Sequence, residues 1–238
     1  MQCFLTELAK NRQLRFAVFI RAQGLSDITI RKKRTLTGNK SIYKRRFLMY
    51  NDIMKIILAS KSPRRKQILS EIGVDFEIIP AVSPETVDYS LEKSEIAKAI
   101  ALHKAREIFE NHKNDLVIGA DTIVVFNNEI LQKPVDDNDE LRMLDLLSDK
   151  THTVYTGYAV LCEDKTIAGA EATKVTFNCL TEEVKKSYVK SGLGLDKAGG
   201  YGIQDGYDFV KSFDGSYYNV MGFPKETITR ILKDLKVL

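Results

Sequence analysis

Tryptophan is absent from this 238-residue chain, and cysteine and histidine are scarce, with three of each. Cys3, Cys162 and Cys179 show neither CxxC spacing nor a neighbouring histidine cluster, which argues against a structural zinc site. The same pattern favours a reducing, cytoplasmic setting over a disulfide framework. No apolar run approaches the ~20 residues that span a bilayer, so the sequence predicts no membrane partner.

Sequence signatures of several enzyme classes are also missing. The chain contains no GxxxxGK[ST] loop and no protein-kinase signature, so a P-loop transferase is not supported. No Ser/His/Asp or Cys/His set that would activate a nucleophile is visible. His152 is interpreted as a surface residue at the start of a strand.

The net charge of +4 conceals two unlike parts of the chain. Residues 1–53 hold 12 Lys and Arg against 3 Asp and Glu, a balance of +9, whereas residues 54–238 hold 24 against 29, a balance of −5. The basic part has three interpretations: a patch for nucleic acid or anionic lipid, an organellar presequence, or upstream sequence translated from a misplaced start. We favour the last, because Met54 directly precedes a strand. The expected division is an N-terminal extension (1–53), the one place for a nucleic-acid partner, and a folded domain (54–238).

The stretch Ile56–Ile72 is typical of a strand, a tight loop and a helix. Ser62 and Pro63 suit the N-cap and the first position of this helix, and Gly73 can end it. Four cations crowd the helix start: Lys61, Arg64, Arg65 and Lys66. The helix dipole disfavours cations there, so they are either simply solvated or relieved by a polyanion bound at the free N–H groups.

The segment Leu116–Val125 reads as an apolar strand that small and polar residues interrupt. Asp121 lies inside it, and a carboxylate in a buried strand is unfavourable unless it is paired, hydrogen-bonded or bound to a metal. The small neighbours Gly119 and Ala120 leave room for a ligand to approach the backbone. We therefore favour a functional carboxylate over a structural one bonded to a loop.

A hairpin brings a cation towards this carboxylate. Asn127 and Asn128 form a plausible two-residue turn, and the resulting register would place Lys133 opposite Thr122. That position is at the same end of the sheet as Asp121.

Three further candidate residues lie elsewhere in the chain. Lys104 belongs to a predicted helix, where by itself it would be a solvated surface lysine, and Glu85 belongs to a loop. Gln204 lies in the segment 192–222, which is rich in glycine and aromatics, and its amide offers a donor and an acceptor to the edge of a base. The tyrosines of this segment either stack on a base or cover the core: Tyr201, Tyr207, Tyr217 and Tyr218.

The remaining periodicity predicts an α/β fold. Expected elements are strands at 74–79, 151–162 and 172–179 and helices at 94–111, 136–147, 181–190 and 224–235. In helix 136–147 we expect Leu141, Leu144 and either Leu146 or Leu147 to face inward. Strands and helices mix along residues 54–238, which predicts one domain on a mixed sheet. Cations that clamp phosphates, beside carboxylates that can hold a divalent metal, indicate phosphate-ester chemistry.

Six motifs follow one another along residues 54–238. They are SKSPRR (60–65), GADT (119–122), QKP (132–134), H-x-V-x-TG (152–157), DKAGGYGIQ (196–204) and GSYYNVMGFP (215–224). Together they resemble the Maf family of nucleoside triphosphate pyrophosphatases, and residues 1–53 lie outside the resemblance.

The resemblance implies a fold and an activity. The expected fold is a three-layer α/β architecture with a mixed central sheet, similar to the inosine triphosphate pyrophosphatases and often found as a homodimer. The expected reaction cleaves between the α- and β-phosphates with Mg²⁺ or Mn²⁺, giving a nucleoside monophosphate and pyrophosphate. The family role is cleansing of the nucleotide pool, with a link to septum formation and cell-division arrest.

The resemblance also implies a role for each candidate residue. Substrate would be bound by Ser62, Arg64, Arg65, Lys104, Lys133 and Gln204. Asp121 would be the catalytic carboxylate, either activating water or holding the metal. Glu85 would join it as a catalytic and metal-binding residue, although the usual acidic pair of the family is replaced here by Pro84-Glu85.

The motifs are similar to those of the branch that prefers dTTP and UTP, with CTP or modified uridine triphosphates as further substrates. The branch that acts on 7-methyl-GTP has a tryptophan in its first motif, and this chain has none. Three alternatives stay open: a purine-directed pyrophosphatase, a nucleic-acid-binding protein that works through residues 1–53, and a division regulator that binds nucleotide without cleaving it.

Overall fold

A computed structural model describes residues 54–84, 87–163 and 165–238. The predictions made for residues 1–53 and for Glu85 lie outside the described residues. In the described part of the chain, no helix combines the length and apolar character that crossing a membrane requires.

Strands and helices mix along the described chain. The strands are β1 (Ile56–Leu58), β2 (Glu77–Ile78), β3 (Leu116–Phe126), β4 (Glu129–Leu131), β5 (Thr151–Cys162), β6 (Lys165–Phe177) and β7 (Val210–Asp214). The helices are α1 (Pro63–Ile72), α2 (Lys93–Phe109), α3 (Asp137–Leu147), α4 (Glu182–Ser191), α5 (Tyr217–Val220) and α6 (Lys225–Asp234), with a 3₁₀ turn at Ala198–Gly200.

These strands form one mixed sheet in the order β2-β1-β3-β5-β6-β7, and β4 pairs with β3. β1 is parallel to β2 and to β3, whereas the other pairs are antiparallel. The predicted mixed sheet is confirmed.

The sheet is covered on both faces because successive side chains of a strand point to opposite sides. Leu58 and Ile118 pack in one core cluster with residues of α1 and α6. Their neighbours Ile57 and Val117 point the other way and pack against α2. The arrangement is therefore a helix–sheet–helix sandwich, and the predicted three-layer architecture is confirmed.

Helix and hairpin termini follow the local sequence signals. Ser62 is the N-cap of α1 in an extended conformation, Pro63 is its first residue, and Gly73 ends it with φ 87°. Asn127 and Asn128 have φ 48° and 68°, as a two-residue type I′ hairpin turn requires. Both predictions are confirmed.

Several boundaries differ from the prediction. β2 is two exposed residues, α2 begins at Lys93, and β6 begins at Lys165, seven residues earlier than expected. β7 and α5 were not predicted. The early part of β6 is rich in alanine, glycine and polar residues, and β7 is largely exposed, so neither shows the apolar alternation that reveals a strand.

The inward face of α3 also differs. Leu144 and Leu147 are buried as predicted, but Met143 and Glu140 are buried with them, whereas Leu141 is only half-buried. A charged residue on the buried face was not predicted, because hydrophobic periodicity assigns carboxylates to solvent.

His152 corrects another prediction. The residue is 2% exposed, its Nε2 is hydrogen-bonded to the Tyr201 hydroxyl at 2.7 Å, and its ring packs edge-on against Phe177. Burial lowers the pKa of His152 to about 4, so the ring is neutral at physiological pH. The surface interpretation was wrong because the covering residue, Tyr201, is 49 positions away in sequence.

Candidate active site

An interruption in the sheet creates the site. On one edge of β3, β1 pairs with Leu116–Ile118 and β4 pairs with Val124–Phe126, while β5 occupies the other edge. Among the described strands, none pairs with the stretch 119–123 on the first edge. The loop that leaves β1 and the segment that follows β4 flank this gap, and a cavity of about 710 Å³ lies there, within the size range of small-molecule sites.

The cavity gathers the candidate residues that the structure describes. These are Ser62, Arg64, Arg65, Lys104, Asp121, Lys133 and Gln204. Lys61 also lines the cavity, but Lys66, the fourth cation of the helix start, does not. Residues that are far apart in sequence therefore line one cavity.

Strand alternation directs two neighbouring side chains of β3 to different helices. Asp121 faces α2, where Lys104 Nζ donates a hydrogen bond to its Oδ1 at 2.5 Å. Thr122 faces α1, where its Oγ1 accepts a bond from Arg65 at 3.3 Å. The Asp121 and Lys104 side chains are 14% and 20% exposed, so this ion pair is largely shielded from solvent.

Arg65 holds the β1–α1 loop to the rest of the site. Its Nε donates to the Gly222 carbonyl at 2.9 Å, and its Nη1 donates to Ser60 Oγ at 3.1 Å. The Ser62 N–H also donates to Ser60 Oγ, at 3.2 Å. The fixed, planar guanidinium thus sets the position of the loop at the cavity wall.

Arg64 finds a carboxylate partner within the protein. Its Nη1 donates to Asp196 Oδ2 at 2.8 Å, which ties α1 to the glycine-rich segment. Burial raises the pKa of Asp196, but hydrogen bonds from Arg64 and Lys197 outweigh that effect and lower it overall. The Asp196 carboxylate therefore offsets part of the positive charge at the start of α1.

Lys133 reaches the cavity beyond the end of the hairpin. The predicted register is confirmed as far as Val124 opposite Leu131, where β4 ends. Lys133 is exposed and has left the ladder, so its position opposite Thr122 is not realised, although the residue still lines the cavity.

A family model described as Maf-like protein matches residues 55–235. This chain belongs to the Maf-like family. A dTTP/UTP pyrophosphatase of Bacillus cereus (strain AH820) is 49% identical over 183 residues, covering 76% of this chain and 94% of that protein. Another from Bacillus cereus (strain ATCC 10987 / NRS 248) is 47% identical over 186 residues, covering 78% and 90%.

Among solved structures, a HAM1 protein from Coxiella burnetii matches with a TM-score of 0.48 and 13% identity, covering 76% of this chain and 100% of that chain.

The glycine-rich segment of this Maf-like chain closes the cavity. Tyr201 is buried in a core cluster and also lines the cavity, and Tyr207 packs edge-on against Tyr188. Gln204 lines the cavity, and its Nε2 donates to Asp205 Oδ1 at 2.6 Å. Of the four tyrosines considered, Tyr201 therefore covers the core.

Sequence reasoning missed several polar residues of the site. These are Ser60, Thr122, Asp196, Lys197 and Asp205. All but Asp205 lie inside the motifs SKSPRR, GADT and DKAGGYGIQ, which was the available signal. Asp205 follows the last of these motifs and carried no signal of its own.

The described carboxylates fit a metal that binds together with substrate. Among described residues, no group of three His, Cys, Asp or Glu side chains could hold an ion by itself. Asp121 and Asp196 are the carboxylates of the described cavity wall; Arg64 bonds to Asp196 Oδ2, and Lys104 bonds to Asp121 Oδ1. Mg²⁺ is usually held by one or two carboxylates plus substrate phosphates, an arrangement that Asp121 fits.

Proposed function

We propose that this protein is a nucleoside triphosphate pyrophosphatase that prefers dTTP and UTP and releases the nucleoside monophosphate and pyrophosphate. The observation that carries the proposal is the Asp121–Lys104 pair at the gap in the sheet, inside a cavity that cations line. The names of the relatives at 47% and 49% identity support the base preference.

The cations would bind the triphosphate. Lys61, Lys104 and Lys133 place ammonium groups around the cavity, and the start of α1 adds the partial positive charge of a helix N-terminus. Arg64 and Arg65 would add guanidinium contacts, and Ser62 would contribute from the same loop. Such a site neutralises charge that spreads over phosphate oxygens as the bond to the leaving group breaks.

Asp121 would be the catalytic carboxylate. A water molecule attacks the α-phosphorus, and the bond from this phosphorus to the oxygen that bridges the α- and β-phosphates breaks. Pyrophosphate leaves, and the carboxylate accepts the proton of the water. Asp121, together with substrate oxygens, would also hold a divalent ion, Mg²⁺ or Mn²⁺, which would neutralise phosphate charge. The role predicted for Glu85 stays a prediction, as do the homodimer, the cytoplasmic location and the link to cell division.

The test is pyrophosphate release from dTTP, UTP, CTP, ITP and 7-methyl-GTP with Mg²⁺. Wild type should release it fastest from dTTP and UTP, and Asp121→Asn should lower kcat at least ~100-fold, because the amide cannot accept the proton. Asp208→Asn, the same change at an exposed residue outside the cavity, is the control and should leave kcat unchanged.

Other outcomes would support other functions. Turnover of ITP or 7-methyl-GTP in preference to dTTP would indicate the purine-directed enzyme. Nucleotide binding without pyrophosphate release would indicate the division regulator that does not cleave nucleotide. Equal turnover by Asp121→Asn and wild type would remove Asp121 from the chemistry.

A further inference from the structure

The side-chain amide of Gln204 has a defined orientation. Its Nε2 lies 2.6 Å from Asp205 Oδ1. A carboxylate only accepts hydrogen bonds, so the NH₂ end of the amide must face Asp205 and the carbonyl end must face away. The neighbouring charge therefore settles which end of the Gln204 amide is bonded within the protein and which end is left without a partner among the described residues.

Asp205 is itself held by donors. Its Oδ2 accepts a bond from the Tyr188 hydroxyl at 2.6 Å and lies 3.3 Å from Lys197 Nζ. The Tyr188 oxygen in turn accepts from the Gly202 N–H at 3.1 Å, which leaves its proton for Asp205. The Asp205 and Lys197 side chains are 8% and 9% exposed, so this network is shielded from water.

The carbonyl end of Gln204 lacks a donor. Gln204 Oε1 is buried and has no hydrogen-bond partner among the described residues, although Gln204 lines the cavity. A buried acceptor without a donor is unfavourable, so a ligand that supplies an N–H gains binding free energy when the Gln204 side chain turns its Oε1 towards the cavity. A ligand that instead presents a second acceptor meets repulsion between lone pairs.

We propose that Asp205 is a positioning residue that makes Gln204 present its acceptor, so that the site selects bases with a donor at N3. Uracil and thymine carry N3–H, whereas N3 of cytosine is an acceptor. This inference rests on the proposed function and deepens it, because it explains a preference for UTP and dTTP over CTP by a residue that does not itself touch the base.

Asp205→Asn should reverse the direction of the hydrogen bond between residues 204 and 205. Lys197 and Tyr188 donate to the far side of residue 205, so they hold the new amide oxygen there and turn its NH₂ towards Gln204. Gln204 then turns its own carbonyl towards that NH₂ and presents a donor to the cavity. We expect the ratio of kcat/KM for UTP to that for CTP to fall roughly tenfold or more, with the rate on CTP rising relative to UTP.

Asp208→Asn is the matched control, because it makes the same change three residues away, where Asn178 is the partner. It should leave the ratio at the wild-type value, and thermal unfolding should show that both variants are folded. If Asp205→Asn slows UTP and CTP in parallel, Asp205 has a purely structural role and the inference is wrong.

A second measurement needs no variant. Wild type should turn over 3-methyluridine triphosphate at least ~10-fold less efficiently than UTP, since a methyl group replaces the N3 donor. 5-Methyluridine triphosphate carries the same group elsewhere and should behave like UTP. Equal turnover of the 3-methyl compound would overturn the inference, whereas no release from any substrate would overturn the proposed function and the inference with it.

Discussion

Glu140 is an unusual residue of the core, a carboxylic acid with no exposed surface. It packs under the glycine-rich segment so closely that a Cβ on Gly194 would lie 2.3 Å from its Oε1. Burial, aided by Asp137, raises the pKa of Glu140 from 4.5 to about 7. The folded state therefore holds a proton that the unfolded state has lost, and the free energy of unfolding falls as pH rises from about 4.5 to about 7.

Glu140→Gln keeps the shape of this residue and removes its titration. Wild type loses stability as pH rises and the variant does not, so the free energy of unfolding of the variant minus that of wild type should grow by about 2 kcal/mol from pH 5 to pH 8. Urea denaturation at the two pH values measures this difference. Glu129→Gln, at an exposed hairpin residue, should show no such change. If the difference in free energy of unfolding between Glu140→Gln and wild type is the same at both pH values, the raised pKa of Glu140 is contradicted.

At the scale of elements, α2 lies unusually close to the sheet. A Cβ on Gly157 of β5 would lie 2.0 Å from the Ala97 carbonyl oxygen, and one on Gly119 of β3 would lie 2.4 Å from that of Ala101. Because the strands carry no side chain at these two points, the helix backbone rests directly on them. This close approach brings Lys104 within hydrogen-bond distance of Asp121.

Gly157→Ala should push α2 away from the sheet. We expect the free energy of unfolding to fall by about 2–3 kcal/mol, as overpacking does, and turnover to fall as Lys104 separates from Asp121. Urea denaturation and pyrophosphate release measure the two effects.

Gly73→Ala separates this steric effect from backbone strain. Gly73 has φ 87° and nothing within 4 Å of an added Cβ, so the variant should lose only about 1 kcal/mol and keep its turnover. Equal losses of stability and turnover in both variants would contradict the role given to close packing.

At the scale of the whole molecule, the family resemblance and the catalytic proposal concern the same part of the chain. The family model matches residues 55–235, and the candidate cavity is lined by residues from Ala59 to Gly222. The extension and domain predicted from charge stay a prediction, because residues 1–53 lie outside the described residues.

A chain that starts at Met54 should therefore turn over dTTP with a kcat/KM within about twofold of the full chain, since it keeps every described residue of the site. Loss of activity or of folding in the shorter chain would contradict this division. A gel shift with nucleic acid that depends on salt and disappears on deleting 1–53 would support the nucleic-acid alternative for that part.

Much of the fold and of the site is predictable from the sequence, but unevenly. The helix start at Ser62 and Pro63 and the turn at Asn127 and Asn128 are local, and they are confirmed. Asp121 was recognisable because a carboxylate in an apolar strand demands a partner. Strands with little apolar alternation, such as β7, were not predicted, since their pairing partners and not their own residues specify them.

The sequence alone was enough for most strands and helices, for the start of α1 at Ser62 and Pro63, for the hairpin register as far as Leu131 and for the residues that resemble the Maf family, because these depend on neighbours a few positions apart. Folding was needed to bury His152 and Glu140 and to surround Asp205 with Tyr188 and Lys197. It was also needed to place the β1–α1 loop beside the gap in β3, between the pairing sites of β1 and β4. These features follow from strand order and packing between distant segments, and no local pattern encodes such contacts.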